Sequence, residues 1–255
     1  MPKMYLTNRE NTYCHNEQHG IEEMFVKMIQ VASSTGEDSP DIIPVPGGLS
    51  GTGITTRYWD CCKPSCSWRG NLRNTSADPV TSCAIDGDTV IDPEAMSNCG
   101  GGPSYMCSNQ QPFVVNSTLA YGFAGASFTG KADYQLCCGC VLLSFTGALS
   151  HKKMVVQVTN TGADAVANQF DLALPGGGVG INNGCISQWN APPDGWGKRY
   201  GGVDTEAECD QLPRQLQDGC RFRFEFMESV SNPSVNFVQV ECPKEIVDRS
   251  HCNLK

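Results

Sequence analysis

The stretch Thr55-Thr56-Arg57-Tyr58-Trp59-Asp60-Cys61-Cys62-Lys63-Pro64-Ser65-Cys66-Ser67-Trp68 crowds three cysteines, three aromatic rings and one carboxylate together. Cysteine is the first feature to explain. The chain has 15, and all but Cys14 lie between Cys61 and Cys252. Cytosolic thiol pools keep such a density reduced, so an oxidising compartment, and hence secretion, is expected. Cys61, Cys62, Cys66, Cys83, Cys99, Cys107, Cys137, Cys138, Cys140, Cys185, Cys209, Cys220, Cys242 and Cys252 suit seven disulfides, although their spacing leaves the connectivity open. Zinc is the rival, because Cys62-x3-Cys66 and Cys137-x2-Cys140 have ligand-like spacings. Cys61 and Cys138 beside them, and the many cysteines left over, argue against it. Cys14 stands apart and is expected to be free or intermolecular.

Outward from this stretch, 27 glycines and 15 prolines among 255 residues describe one loop-rich, cross-linked domain with appendages. Charged residues are 18% of the chain, too few for a charge-rich disordered chain or a coiled coil. A net charge of -9 with no block of Lys or Arg excludes a phosphate-neutralising groove, so neither nucleic acid nor an anionic membrane is expected as a partner. No run of apolar residues is long enough to span a bilayer. The apolar run from Met24 to Val31 is broken by Lys27 and Gln30 and does not read as a signal peptide. Ile21, Met24, Phe25 and Met28 form one short helical stripe, and residues 32 to 53 have a Ser/Gly/Pro linker composition. The reading is therefore a flexible extension and linker over 1–53 and a folded domain over 54–255.

Within that domain, short β-branched or aromatic runs predict strands at Val141 to Phe145, Met154 to Thr159, Phe170 to Leu174, Arg221 to Met227 and Val235 to Val240. In Arg221-Phe222-Arg223-Phe224-Glu225-Phe226 strict alternation puts the phenylalanines on one face. Thr205-x-x-Glu208 is a capping box for a helix stopping near Pro213 or Gly219, and Pro243 starts a short helix through Arg249. Strands separated by long Gly/Pro/Cys loops favour a small β-barrel over a βαβ layout. Asn74-Thr75-Ser76 and Asn116-Ser117-Thr118 are glycosylation sequons.

Nucleophilic catalysis has little to stand on, with His15, His19, His151 and His251 in no recognisable motif. Pro175-Gly176-Gly177-Gly178-Val179-Gly180 follows a strand but lacks the Gly-Lys-Ser/Thr of a phosphate loop, and reads as a tight turn where backbones approach closely.

The opening stretch closely resembles the signature of family 45 glycoside hydrolases, small secreted endoglucanases that cleave β-1,4-glucan. The resemblance continues through Cys137-Cys138-Gly139-Cys140, Lys152 to Gln157, Asn168-Gln169-Phe170-Asp171-Leu172, Gly176 to Gly180, Arg199-Tyr200-Gly201-Gly202 and Cys242-Pro243. It implies a mainly β fold, a six-stranded double-psi β-barrel with long disulfide-linked loops and a few short helices. It also implies an inverting endo-β-1,4-glucanase acting as a monomer without metal or organic cofactor. Asp60 then matches the general base, Asp171 the general acid and Asp164 an assisting carboxylate. Without the resemblance these could not be chosen from 27 acidic residues. Tyr58, Trp68 and Tyr200 are expected to line the cleft as sugar platforms, with Lys63 and Gln169 as polar contacts; Trp59 is left unassigned. The implied disulfides are Cys61–Cys185, Cys62–Cys99, Cys66–Cys137, Cys83–Cys107, Cys138–Cys252, Cys140–Cys242 and Cys209–Cys220.

Two positions depart from the family pattern. Gln169 stands where many members have a histidine, and Gly125 where alanine is commonest. The alternatives are a non-hydrolytic expansin-like protein, which would lack Asp60, and a barwin-like wall-polysaccharide binder, which would need neither Asp60 nor Asp171.

Overall fold

A computed structural model describes residues 40–74, 77–129, 136–161 and 168–254. Its strands are β1 (Ser50–Tyr58), β2 (Ser82–Cys83), β3 (Tyr105–Met106), β4 (Phe113–Val114), β5 (Leu119–Ser127), β6 (Cys140–Phe145), β7 (Lys153–Thr161), β8 (Gln169–Ala173) and β9 (Ser234–Val240). The α-helices are α1 (Cys185–Trp189), α2 (Arg214–Glu225) and α3 (Lys244–Ser250). Strands pair in the order β5-β7-β6-β9-β1-β8, and β8 pairs back onto β5, which closes a six-stranded barrel. The β1–β8 and β5–β7 pairs are parallel and the rest of the ring is antiparallel. Strand β4 attaches to the first half of β5, so the barrel carries one short extra edge.

The filling of the barrel follows from the alternation of side chains along each strand. Phe170 and Leu172 point inward from β8, and Phe128, Phe170 and Phe237 meet edge to face with ring centroids 5.2 to 5.8 Å apart. Leu143, Met154 and Val156 complete this core, each fully buried. Burial of such a side chain is worth roughly 1.5 to 3 kcal/mol. A second buried cluster, with Tyr58, Trp59, Tyr121 and Phe123, lies beneath the disulfide-linked loops.

Strands β6, β7, β8 and β9 coincide with the runs read as strands. The run from Arg221 to Met227 does not, because Arg221 to Glu225 lies in helix α2. Phe222 and Phe226 are four residues apart and stack at 5.0 Å, a helical contact, and Leu216, Gly219 and Cys220 extend the same buried stripe. Six residues of alternation were too short a window to separate the two periods. The Thr205/Glu208 capping box is present and opens a 3-10 helix over Glu206–Gln211, which stops just before Pro213 as expected; Pro213 then precedes α2, which runs on through Gly219. Pro243 opens α3 as expected.

The domain boundary read near Gly53 falls inside β1, where Gly53 pairs with Val235. Pairing onto β9 begins earlier still, since the Val45 amide donates to the Gln239 carbonyl at 3.0 Å, and the compact unit starts at Asp41. Cys14 and the Ile21-to-Met28 stripe lie outside the described residues.

Seven disulfides join Cys61 to Cys185, Cys62 to Cys99, Cys66 to Cys137, Cys83 to Cys107, Cys138 to Cys252, Cys140 to Cys242 and Cys209 to Cys220. These are the partners that the resemblance implies. All four thiols of the zinc reading are thereby consumed. Asn116 of the second sequon is buried, with its Oδ1 accepting from the amides of Thr118 and Leu119, which argues against a glycan there. Thr75 and Ser76 of the first sequon lie outside the described residues. Among the described residues no helix is long and apolar enough to cross a membrane.

Candidate active site

The parallel pairing of β1 with β8 sets Thr56 opposite Asp171 and Ile54 opposite Gln169. Side chains alternate along both strands, so Thr56, Tyr58, Gln169 and Asp171 share one face, and Asp60 follows two residues beyond the end of β1. These five side chains line a cavity of about 610 Å³. Its far wall is the Gly177-to-Asn182 loop and the Arg199-Tyr200-Gly201 turn, with Asn232 at the edge. Ile181 and Tyr200, 69% and 70% exposed, stand at the rim as open apolar surfaces.

That far wall depends on glycine. The glycine-rich loop is a close crossing of backbones, as read from the sequence: the Trp59 amide donates to the Gly178 carbonyl at 2.8 Å and the Val203 amide to the Gly176 carbonyl at 3.0 Å. Gly202 has φ +72°, and a Cβ there would fall 1.7 Å from the Gly176 oxygen.

The two aspartates have different surroundings. Asp60 accepts a hydrogen bond from the Cys62 amide at 2.9 Å through Oδ1. Burial nevertheless pushes its carboxyl up to about 7; the Cys62 bond opposes the rise and the nearby Asp171 charge adds to it. Asp171 accepts from the Thr56 hydroxyl at 2.7 Å, and Gln169 Nε2 donates to the same hydroxyl oxygen at 3.0 Å. Burial, with the charges of Asp60 and Asp171, raises Tyr58 well above an ordinary phenol, while Asn160 Nδ2 lies 3.4 Å from its hydroxyl. Asn160 reaches this position through a register shift between β5 and β7, where Ala124 faces Val158 but Gly125 faces Asn160.

Of the residues singled out in the sequence, Asp60, Asp171, Tyr58, Gln169 and Tyr200 meet in the cavity. Lys63 and Trp68 do not line it. Lys63 is 5% exposed, donates to the carbonyls of Pro93 and Ala95, and sits 3.2 Å from the centre of the Trp68 ring, so the two form an internal cation–π pair behind the site. Burial lowers the Lys63 pKa to about 8. Trp59 is buried in the core. Gly125 pairs with Asp171, and a Cβ on it would make only ordinary contacts, 3.6 Å to Asn160 and 3.8 Å to Asp171, so alanine would fit there. Asp164 lies outside the described residues.

Thr56, Arg57 and Asn160 also line the cavity and were not singled out. Thr56 and Arg57 stood within the opening stretch, but their importance comes from the strand register, which no local pattern encodes. Arg57 donates to the Gly201 carbonyl at 3.0 Å, to Ser231 Oγ at 2.8 Å and to Asn232 Oδ1 at 2.9 Å, so it fastens the Tyr200 turn and the 231–232 turn together.

Comparison with known proteins agrees over nearly the whole described chain. Residues 52–253 match the model of Glycosyl hydrolase family 45. An endoglucanase of Phaedon cochleariae is 58% identical over 217 residues, 85% of this chain and 90% of that protein. An endoglucanase of Cryptopygus antarcticus is 52% identical over 213 residues, 83% of this chain and 93% of that protein. The crystal structure of the cellulase from that Antarctic springtail superposes with a TM-score of 0.77 at 51% identity, covering 80% of this chain and 98% of that one.

Proposed function

The chain belongs to glycosyl hydrolase family 45, and from that premise we propose that its cleft cleaves β-1,4-glucan by a single displacement, with Asp60 as general base and Asp171 as general acid. The protein is an endo-β-1,4-glucanase, a cellulase, and its substrate is a β-glucan. The chemistry asks for two carboxyls because a glycosidic oxygen leaves poorly until protonated, while water on the opposite face needs a base. The observation that carries the reading is that Asp60 and Asp171 line one cavity within electrostatic reach of each other and are held by different partners.

In this mechanism Asp171 protonates the leaving oxygen, Asp60 takes a proton from the attacking water, and the anomeric configuration inverts. The two sites are coupled. When Asp171 carries its proton the repulsion on Asp60 disappears, which favours the ionised base and protonated acid together. Asp164 would assist. Tyr200 offers an open ring face for a sugar to bind, Tyr58 lines the cavity from a buried position, and the open rim suits an internal segment of a polymer. We further propose that the enzyme is a secreted monomer; seven disulfides and a net charge of -9 support an oxidising compartment and a neutral polymer in place of nucleic acid. The expansin-like and barwin-like readings have no observation in their favour.

The opposite assignment of roles has one, the raised pKa of Asp60, since a carboxyl that holds its proton to about 7 is suited to donate it. Aryl β-cellotriosides decide between them. A dinitrophenolate leaves without protonation, so Asp171→Asn should lose roughly a hundredfold or more on a phenyl glycoside and far less on the dinitrophenyl one, whereas Asp60→Asn should be slow on both. The reverse pattern would exchange the roles. An NMR spectrum of fresh product showing the β-anomer first would overturn inversion.

A further inference from the structure

We propose that Gln169 is a positioning residue that acts through Thr56 on the acid, and not a contact to the sugar as its place in the cleft first implies. This rests on Asp171 being the general acid. The three side chains form a chain: Gln169 Nε2 to Thr56 Oγ1 at 3.0 Å, and Thr56 Oγ1 to Asp171 Oδ1 at 2.7 Å. The register of the parallel pair builds it, since Thr56 sits opposite Asp171 and diagonal to Gln169 on the same face.

That chain has a polarity. An amide nitrogen only donates, so Thr56 Oγ1 accepts from Gln169, and the hydroxyl directs its single proton to Asp171 Oδ1. The carboxyl's own proton is left on Oδ2, so the amide two residues away selects which oxygen acts as the acid. As that proton passes to the leaving oxygen, negative charge develops on Asp171 and the Thr56 bond becomes charge-assisted. It strengthens in the transition state more than in the ground state, which is the condition for it to raise kcat.

An amide also holds this polarity at every pH, because it does not titrate. Among the described residues, the charged or titratable groups that interact with Asp171 include Arg57 and Tyr58 on β1 and Asp60 beyond it. The facing strand β5 presents Gly125 and Ala126, which carry no charge. None of these groups changes in the variants below.

The test compares Thr56→Val, Thr56→Ser, Gln169→Leu and Asp171→Asn in the full-length enzyme on phenyl and dinitrophenyl β-cellotriosides across pH. Thr56→Val should lower kcat on the phenyl substrate about tenfold or more, leave the dinitrophenyl rate within a few-fold, and move the basic limb of the profile up by about one pH unit, because the carboxylate has lost a donor. Gln169→Leu should show the same pattern at smaller size, with KM little changed, and Thr56→Ser should restore both rate and limb. Equal losses on both substrates with an unmoved basic limb would overturn the relay, as would a Gln169→Leu effect confined to KM. Asp171→Asn reports separately on the acid: if it is equally slow on both substrates, the assignment of Asp171 fails, whatever the other variants do.

Discussion

In the proposed mechanism Asp60 links catalysis to stability through one carboxyl. Its folded pKa of about 7 lies above the ordinary value of 3.8, so between these pH values the folded chain binds more protons than the unfolded one. Stability is therefore favoured below about pH 4 and is lost as pH rises through 7. Asp60→Asn removes the ionisable group while keeping an oxygen for the Cys62 amide. Thermal melts of the variant should match the parent near pH 4 and exceed it at pH 8, by roughly 1 to 3 kcal/mol. A gain at low pH instead would mean that the carboxyl is stabilised as an anion. The same group predicts kinetics of opposite sense: with Asp60 as base, the acidic limb of the kcat/KM profile rises with pH through about 7 and meets the basic limb set by the acid, so the profile is a bell whose acidic side belongs to Asp60. At this scale the sequence was legible only where a long motif held the residue, as with Asp60 and Asp171. Lys63 and Trp68 shared the motif yet face each other and not the cleft, because burial under the Pro93-to-Ala95 carbonyls satisfies the ammonium there.

Among elements, strands announced themselves where β-branched residues were concentrated, as at Val155, Val156 and Val158 of β7 and in Val235 to Val240 of β9. Strand β5 gave no such signal. Its sequence Leu-Ala-Tyr-Gly-Phe-Ala-Gly-Ala-Ser has no β-branched residue; Leu119, Tyr121 and Phe123 alternate with Ala and Gly, and the strand, paired on both edges, is buried throughout. Helix α2 was misread because its phenylalanines also fit a period of two, whereas Leu216, Cys220 and the Cys209–Cys220 bridge belong to a helical stripe. The Tyr200 turn is placed by Arg57, a tie between elements that only the folded chain displays. Arg57→Ala should raise KM for cello-oligosaccharides several-fold by freeing the Tyr200 turn, with a smaller change in kcat on short aryl glycosides. An unchanged KM would show that the turn holds without it.

For the whole molecule, the start of the folded unit decides what can be removed. A chain beginning at Asp41 should keep melting temperature and activity, whereas one beginning at Ile54 should lose several degrees or fail to fold, since it deletes four of the five β1–β9 pairs, Ser50 to Gly53, and the Val45 and Leu49 contacts to Gln239. Equal melting of the two would show that the barrel closes without that edge. The closing of the barrel has a further consequence in time. Strand β1 has as its two partners β8 and β9, which begin at Gln169 and Ser234, so nothing emerging early in synthesis can pair with it. The contacts that complete the ring are among the most distant in sequence, and loop-closure entropy is lost before they form. Refolding should accordingly be slow for a chain of this size, with amide exchange in β1 and β9 protected late and together. During that interval β1 has two unpaired edges that expose Thr56 and Tyr58, so yield in a foreign host should depend on how well that first strand is sheltered until the last one arrives.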